Sequence, residues 1–218
     1  MGDQRTEDGG QRTDDRRKPT GFRFGAIILA AGASTRMGAP KQLLEIEGRP
    51  LVVRAVEAAL GSAAWPVVVV LGANAAQIRP RLTRLPVLIA DNPTWAEGMA
   101  SSIRAGIAML RQFSRALDGA VIALCDQAAF SPQTIAQLTA AQRASGRSII
   151  AARYAGKNGA PALFLREHFA ALAALTGDEG ARILLNGPAG QVATVDLPEL
   201  AFDLDTPEDY ERWRGGTR

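Results

Sequence analysis

The sequence predicts an α/β domain: a mostly parallel central sheet with helices on both faces, a three-layer sandwich. Two observations predict it. Apolar runs of strand length alternate with segments of helical spacing along most of the chain. No internal repeat and no long linker interrupts that alternation, so residues 25–218 read as one domain.

The elements follow in order. Phe24 to Ala30 (FGAIILA) is a first buried strand, and Pro50 to Leu60 has helical spacing. Pro66 to Leu71 (PVVVVL) is a second strand, rich in β-branched residues and ended by Gly72. Ala75 to Leu85 reads as a helix and Pro86 to Ala90 as a third strand. Gly98 to Phe113 is an amphipathic helix, with Met99, Ile103, Ile107 and Leu110 on one face. Ala120 to Cys125 is a fourth strand, and Ser131-Pro132 opens a helix with a cap and a proline at its first position. Ser148 to Arg153, Ala162 to Leu165 and Gln191 to Leu197 read as strands. Phe169 to Leu175 and Glu179 to Leu185 read as helices. Thr206 and Asp209 have the spacing of a capping box at the start of a last helix.

Residues 1–24 are polar, mixed in charge and nearly free of aliphatic side chains, and predict a disordered tail. Arg16-Arg17-Lys18, the apolar run after them and Ala31-Gly32-Ala33 imitate a secretory signal with a cleavage site. The run is short and passes straight into a Gly-rich loop, so the expectation is a cytoplasmic protein. No stretch approaches the roughly 20 apolar residues of a membrane span. A net charge of +3 in 218 residues does not argue for a nucleic-acid surface. One cysteine, Cys125, excludes an internal disulfide framework, and one histidine, His168, disfavours His-clustered metal sites and His-based nucleophilic catalysis. The chemistry is expected to run on carboxylates, Lys, Arg and backbone amides.

In such sheets the ligand lies beyond the carboxyl ends of the strands. Segments 30–41, 126–127 and 203–209 lie there. In the first, Gly32 and Gly38 flank a loop that carries Arg36 and ends at Lys41. Glycines let backbone N–H groups converge on a phosphate, and Arg and Lys add positive charge. The alternative is a simple tight turn. The loop is neither a Walker A motif nor a Gly-x-Gly-x-x-Gly fingerprint. Asp126 follows the fourth strand directly, where a hard oxygen ligand suits Mg²⁺. Asp203 and Asp205 alternate with Leu204, so an extended chain points both to one face. One of them completes the metal site with Asp126, or they only cap or solvate a chain end. Gly98, Ser101 and Ser102 open the amphipathic helix, where free N–H groups favour an anion and serine also serves as a cap. Cys125 reads as a small buried filler, and His168 as a surface or helix-start residue.

The string LAAGASTRMGAPKQLL resembles the signature Leu-Ala-x-Gly-x-Ser-x-Arg-Met-Gly-x-x-Lys of nucleotidyltransferases with a glycosyltransferase-A-like α/β fold. Its wording is similar to the CTP:molybdopterin cytidylyltransferase group. NPTWAEGMASSIRAGI, ALCDQ, AARYAGKNGAPALF, GDEGARILL and FDLDTPEDY extend the likeness over nearly all of the chain after residue 24. The resemblance implies nucleotide contacts at Leu29, Ala30, Ala31, Gly32 and Gly72. It implies phosphate contacts at Arg36 and Lys41, and base and ribose contacts near Gly98 and Ser102. Mg²⁺ would be held by Asp126 with Asp203 or Asp205. Ala31 resembles cytidine-using members. Two positions depart from the group: Ala128 stands where proline is common and Ala100 where serine is common. Arg153 to Phe164 falls on the implied acceptor side. There Arg153 and Lys157 either bind an anionic acceptor or are solvated charges beside a turn at 156–159.

The implied reaction is transfer of CMP from CTP to the phosphate of molybdenum-loaded molybdopterin, with release of pyrophosphate. A client molybdoenzyme or its insertion chaperone is the implied protein partner. Three alternatives remain: GTP as donor, a sugar, alditol or other small phosphate as acceptor, or a non-catalytic nucleotide-binding cofactor carrier.

Overall fold

A computed structural model of the chain describes residues 21–188, 190–202, 204 and 206–214. Residues 1–20 of the tail expected at 1–24 and the expected metal ligands Asp203 and Asp205 lie outside the described residues, as does the side chain of Arg36. Residues 22–24 already join the fold. The Phe22 ring stacks on Phe24 with centroids 5.6 Å apart, and the Arg23 backbone N–H donates to Asp118 Oδ2 at 2.8 Å.

The strands are β1 (Phe24–Ala30), β2 (Glu45–Ile46), β3 (Arg49–Pro50), β4 (Val67–Leu71), β5 (Leu88–Asp91), β6 (Gly119–Leu124), β7 (Ile149–Tyr154), β8 (Lys157–Leu165) and β9 (Val192–Asp196). The helices are α1 (Leu51–Leu60), α2 (Ala75–Leu82), α3 (Met99–Phe113), α4 (Pro132–Ser145), α5 (Phe169–Ala173), α6 (Arg182–Leu185) and α7 (Pro207–Arg214). Seven strands form one sheet in the order β5-β4-β1-β6-β8-β7-β9. It is parallel except at β8, which runs antiparallel to both of its neighbours.

β1 is central and buried at every residue, which is why it reads as an unbroken apolar run. Its side chains alternate between two cores. Phe24, Ala26, Ile28 and Ala30 join Val52 and Val56 of α1, Ile78 of α2 and Ile135 and Leu138 of α4 on one face. Ile27 and Leu29 join Ile103, Ile107 and Leu110 of α3, Leu172 of α5 and Leu185 of α6 on the other. These are the three expected layers. α4 starts with the expected cap: Thr134 N–H donates to Ser131 Oγ at 3.3 Å, with Pro132 at the first helical position. α7 starts with the expected capping box, Asp209 N–H donating to Thr206 Oγ1 and Thr206 N–H to Asp209 Oδ2.

Two hairpins differ from the expected pattern. β2 and β3 pair across Glu47 (φ 53°) and Gly48 (φ 74°), a two-residue turn that strands this short do not announce. β8 begins at Lys157, not at Ala162. Ala155 (φ 47°) and Gly156 (φ 72°) make the turn, so Lys157, Asn158 and Gly159 belong to the strand rather than to the expected turn at 156–159. Among the described residues, no helix is long and apolar enough to cross a membrane.

Candidate active site

The carboxyl ends of β1 and β6 are adjacent, because these strands pair in parallel from Phe24↔Gly119 to Leu29↔Leu124. The two sequence segments that leave them, 31–41 and 125–128, therefore meet at one edge of the sheet. The first is held by Gln42, a buried amide whose Nε2 donates to the carbonyls of Gly32 at 2.7 Å and Ala30 at 3.4 Å. Ala73 N–H donates to the carbonyl of Ala31 at 3.1 Å. A trans peptide points its N–H opposite to its C=O, so tying these carbonyls back turns the amides of Gly32 and Ala33 the other way. Ser34 sits in the left-handed region at φ 57°. Its Oγ donates to Gln42 Oε1 at 3.2 Å and accepts from Lys41 N–H at 3.0 Å, which closes the loop on itself.

That closure delivers Lys41 to Asp126. Lys41 Nζ is in direct contact with Asp126 Oδ2, and both side chains are largely buried. Asp126 Oδ1 is buried with no hydrogen-bond partner among the described residues. A half-satisfied buried carboxylate beside a cation is costly unless a ligand completes it. A hard divalent cation would do so, since Mg²⁺ takes one or two carboxylates and fills its other positions with phosphate oxygens and water. The residues present fit such an ion. Leu204, between the two expected partner carboxylates, is fully buried in a small apolar cluster that includes Ala128, two positions after Asp126. Among the described residues there is no cluster of three or more His, Cys, Asp and Glu side chains placed for a metal.

A cavity of about 400 Å³ opens above this pair. Leu29, Ala30, Ala31, Gly32, Gly98 and Ser102, all expected to contact nucleotide, line it together with Lys41 and Asp126. Gly72 does not line it. A Cβ there would lie 2.6 Å from the Ala31 carbonyl oxygen and 2.7 Å from Trp95 Cβ, so Gly72 allows the loop to pack behind the cavity wall. The far wall is organised by Asn92, which sequence reasoning missed. Its Nδ2 donates to Ser101 Oγ at 2.8 Å and Ser102 Oγ at 3.0 Å, and its Oδ1 accepts from Thr94 N–H at 3.1 Å. Ser101 and Ser102 are thus buried and bonded to a side chain. Segment 175–181 straps this wall: Ala100 N–H donates to the Gly177 carbonyl at 3.2 Å and Arg104 to the Leu175 carbonyl at 2.7 Å.

A second cavity, about 580 Å³, adjoins the first and shares Leu29, Met99, Leu124 and Asp178 with it. Its floor is apolar, through Ile103, Ile122 and Phe164, and Lys157, Asn158 and Arg182 stand around it. Lys157 is therefore beside this cavity. Arg153 is not: it pairs with Asp196 through two bonds of 2.6 and 3.0 Å at the sheet surface, and that contact holds the Asp196 carboxyl below its ordinary value. Cys125 is buried, and burial first, then the charge of Asp126, pushes its thiol well above the ordinary value. It cannot supply a thiolate near neutral pH. His168 Nε2 is 2.8 Å from Ser148 Oγ, beside Phe164, and lines neither cavity.

The geometry has relatives. Residues 26–195 match the MobA-like NTP transferase domain. Over 198 residues the chain is 35% identical to a Paenarthrobacter nicotinovorans protein named nicotine blue oxidoreductase, covering 85% of this chain and 94% of that one. It is 29% identical over 200 residues to purine catabolism protein PucB of Bacillus subtilis, covering 86% and 94%. The crystal structure of Rv0371c from Mycobacterium tuberculosis superposes with a TM-score of 0.76 at 28% identity, covering 89% of this chain and 98% of that one. A nucleotidyl transferase from Methanothermobacter shares the fold, with a TM-score of 0.74 at 21% identity over 89% of this chain and 97% of that one. The chain belongs to the MobA-like NTP transferase family and is a nucleotidyltransferase.

Proposed function

We propose that the chain transfers CMP from CTP to the terminal phosphate of a molybdopterin-type acceptor, releasing pyrophosphate and forming molybdopterin cytosine dinucleotide. The observation that carries this reading is the contact of Lys41 with Asp126 at the foot of a cavity walled by a Gly-rich loop, with Asp126 Oδ1 left without a partner among the described residues.

A phosphate monoester is already anionic near neutral pH, so in-line attack on the α-phosphorus needs no strong general base. The protein's task is positioning and charge neutralisation. The backbone of residues 29–32 holds the nucleotide, and Gly98 and Ser102 bound its base and ribose. Gly72 supports that contact from behind Ala31. Arg36 and Lys41 neutralise the charge that develops on departing pyrophosphate. Lys157, beside the adjoining cavity, attracts the acceptor's phosphate. Asp126, with Asp203 or Asp205, would hold Mg²⁺, which when bound offsets phosphate charge. A divalent ion is in keeping with the manganese complex of Rv0371c, 25% identical with a TM-score of 0.71. Ala31 supports CTP over GTP. The reaction belongs in the cytoplasm, with a client molybdoenzyme or its insertion chaperone as recipient of the product.

The name of the Paenarthrobacter relative raises an oxidoreductase reading, but this sequence has no dinucleotide fingerprint on which to rest it. The deciding experiment supplies CTP, GTP, ATP and UTP separately, with Mg²⁺ and molybdenum-loaded molybdopterin, and measures pyrophosphate. Release with CTP alone is expected. Release with GTP would overturn the base assignment. Release only when a sugar or alditol phosphate replaces the pterin would overturn the acceptor. Nucleotide binding with no release from folded protein would favour the non-catalytic carrier.

A further inference from the structure

Gln127 follows Asp126 directly and is almost wholly buried. Its carboxamide nitrogen donates two hydrogen bonds, one to Tyr154 Oη at 3.1 Å and one to the Ala160 carbonyl at 2.8 Å. Tyr154 Oη in turn donates to the same carbonyl at 2.8 Å. The three groups form a closed triangle between the turn after β6 and the hairpin of β7 and β8. The hairpin is shaped to admit it: a Cβ at Gly159 would lie 2.5 Å from Tyr154 Oη, so only glycine leaves room for the ring. Gln127 Oε1 is buried with no partner among the described residues. Among the described residues both donors of the amide are used and its acceptor is not, so the donors set its orientation.

The triangle stands between two cavities, and Asp126 joins it through its chain neighbour Gln127. Asp126 lines the cavity beneath the Gly-rich loop, while Tyr154, Gly159 and Ala160 line the adjoining one. β6 and β8 pair only as far as Ile122↔Ala162, so the ladder between them ends before Asp126. Beyond that point the triangle is a cross-link that ties the Asp126 turn to the acceptor-side wall.

We propose that Gln127 is a positioning residue: with Tyr154 it fixes the Asp126 carboxylate relative to the acceptor-side wall, so that the metal site and that wall are set by one buried network. The inference rests on the reading of Asp126 as a metal ligand. Partners that orient a ligating side chain are worth about tenfold to a hundredfold in metal affinity. The probe is Mn²⁺ alone, titrated into the full chain and followed by its electron paramagnetic resonance signal, with thermal melting as a check on folding. Gln127→Leu, close to glutamine in size, is expected to weaken Mn²⁺ binding about tenfold. Tyr154→Phe is expected to weaken it less, because the bond from Gln127 to Ala160 survives. The double variant is expected to be no weaker than Gln127→Leu, since both act through one network. A folded Gln127→Leu protein with wild-type Mn²⁺ affinity would overturn the proposal, and so would strictly additive losses in the double variant. Asp126→Ala separates this failure from that of the metal reading. If it leaves Mn²⁺ binding unchanged, the metal assignment falls and the coupling with it.

Discussion

Lys41 and Asp126 are joined as an ion pair, although one ends a loop after β1 and the other follows β6. The parallel pairing of those strands brings the two segments together, and Ser34 and Gln42 hold the lysine's backbone in place. The pair is asymmetric. One carboxylate oxygen meets the ammonium, and the other is buried without a partner among the described residues. On the proposed function, a site built this way has its charges in position before a nucleotide arrives, which is where preorganised electrostatic catalysis gains most.

Asp126→Ala should therefore remove turnover while leaving the fold intact. Loss of a preorganised charged group at the reacting phosphates lowers kcat by about 10³-fold or more. Asp126→Asn keeps the size and loses the charge, so it should be equally inactive. Pyrophosphate release gives the rate and circular dichroism the fold. An Asp126→Asn protein with more than a tenth of wild-type kcat would remove Asp126 from the reaction.

Lys41→Met tests the other half of the pair. Its kcat should fall about 10²-fold through the lost charge on the leaving group. Its Mn²⁺ affinity without nucleotide should rise instead, because the cation no longer displaces an ammonium from Asp126 Oδ2. Stability without metal should drop by about 1–3 kcal/mol, the cost of leaving a buried polar group without its partner. Urea unfolding and Mn²⁺ titration report the last two. Mn²⁺ affinity that falls with kcat would mean that Lys41 supports the metal rather than competes with it.

What was legible before the fold was known follows from how each feature is encoded. β1 and β4 are buried on both faces, and that writes a continuous apolar run. The Gly-rich loop and Asp126 stand out as polar punctuation after such runs. Gln42, Asn92 and Gln127 do not, because their partners lie up to 33 residues away and leave no period. A buried polar residue at a strand end was the one available signal, and Asn92 and Gln127 both show it. Arg153 stayed open between two readings for the same reason. Its partner Asp196 is 43 positions distant, on a strand that pairs with its own. The β2–β3 hairpin was invisible because two-residue strands carry no alternation.

Gly98 makes a prediction about the cavity wall. Its φ of 102° lies where side chains are strained, and a Cβ there would fall 2.0 Å from Asp178 Oδ1. Gly98→Ala must therefore push the 175–181 strap off the start of α3. The cost is about 2 kcal/mol of stability, within the range for a strained backbone position. CTP binding should weaken more than the fold does, because Gly98 lines the cavity directly. Urea unfolding and CTP titration check the two losses. Wild-type values for both would show that the strap yields freely and contributes nothing to the site.

Cys125 makes a prediction about pH. Burial raises its thiol well above the ordinary value of 9.0, so the folded protein keeps this proton over a range in which the unfolded chain loses it. The contribution is complete below pH 9.0 and is lost as pH rises beyond it. A Cys125→Ala protein has no such proton. The stability advantage of wild type over this variant should therefore be constant up to about pH 9 and then shrink by about 1.4 kcal/mol per pH unit. Urea unfolding of both proteins between pH 7 and 10.5 measures the difference directly. Alkylation adds a second readout: the thiol should react with iodoacetamide only after unfolding, because the folded state holds almost no thiolate. A flat difference across pH 9–10.5, or fast labelling of the folded protein at pH 8, would mean that Cys125 is more accessible than its packing beside Asp126 allows.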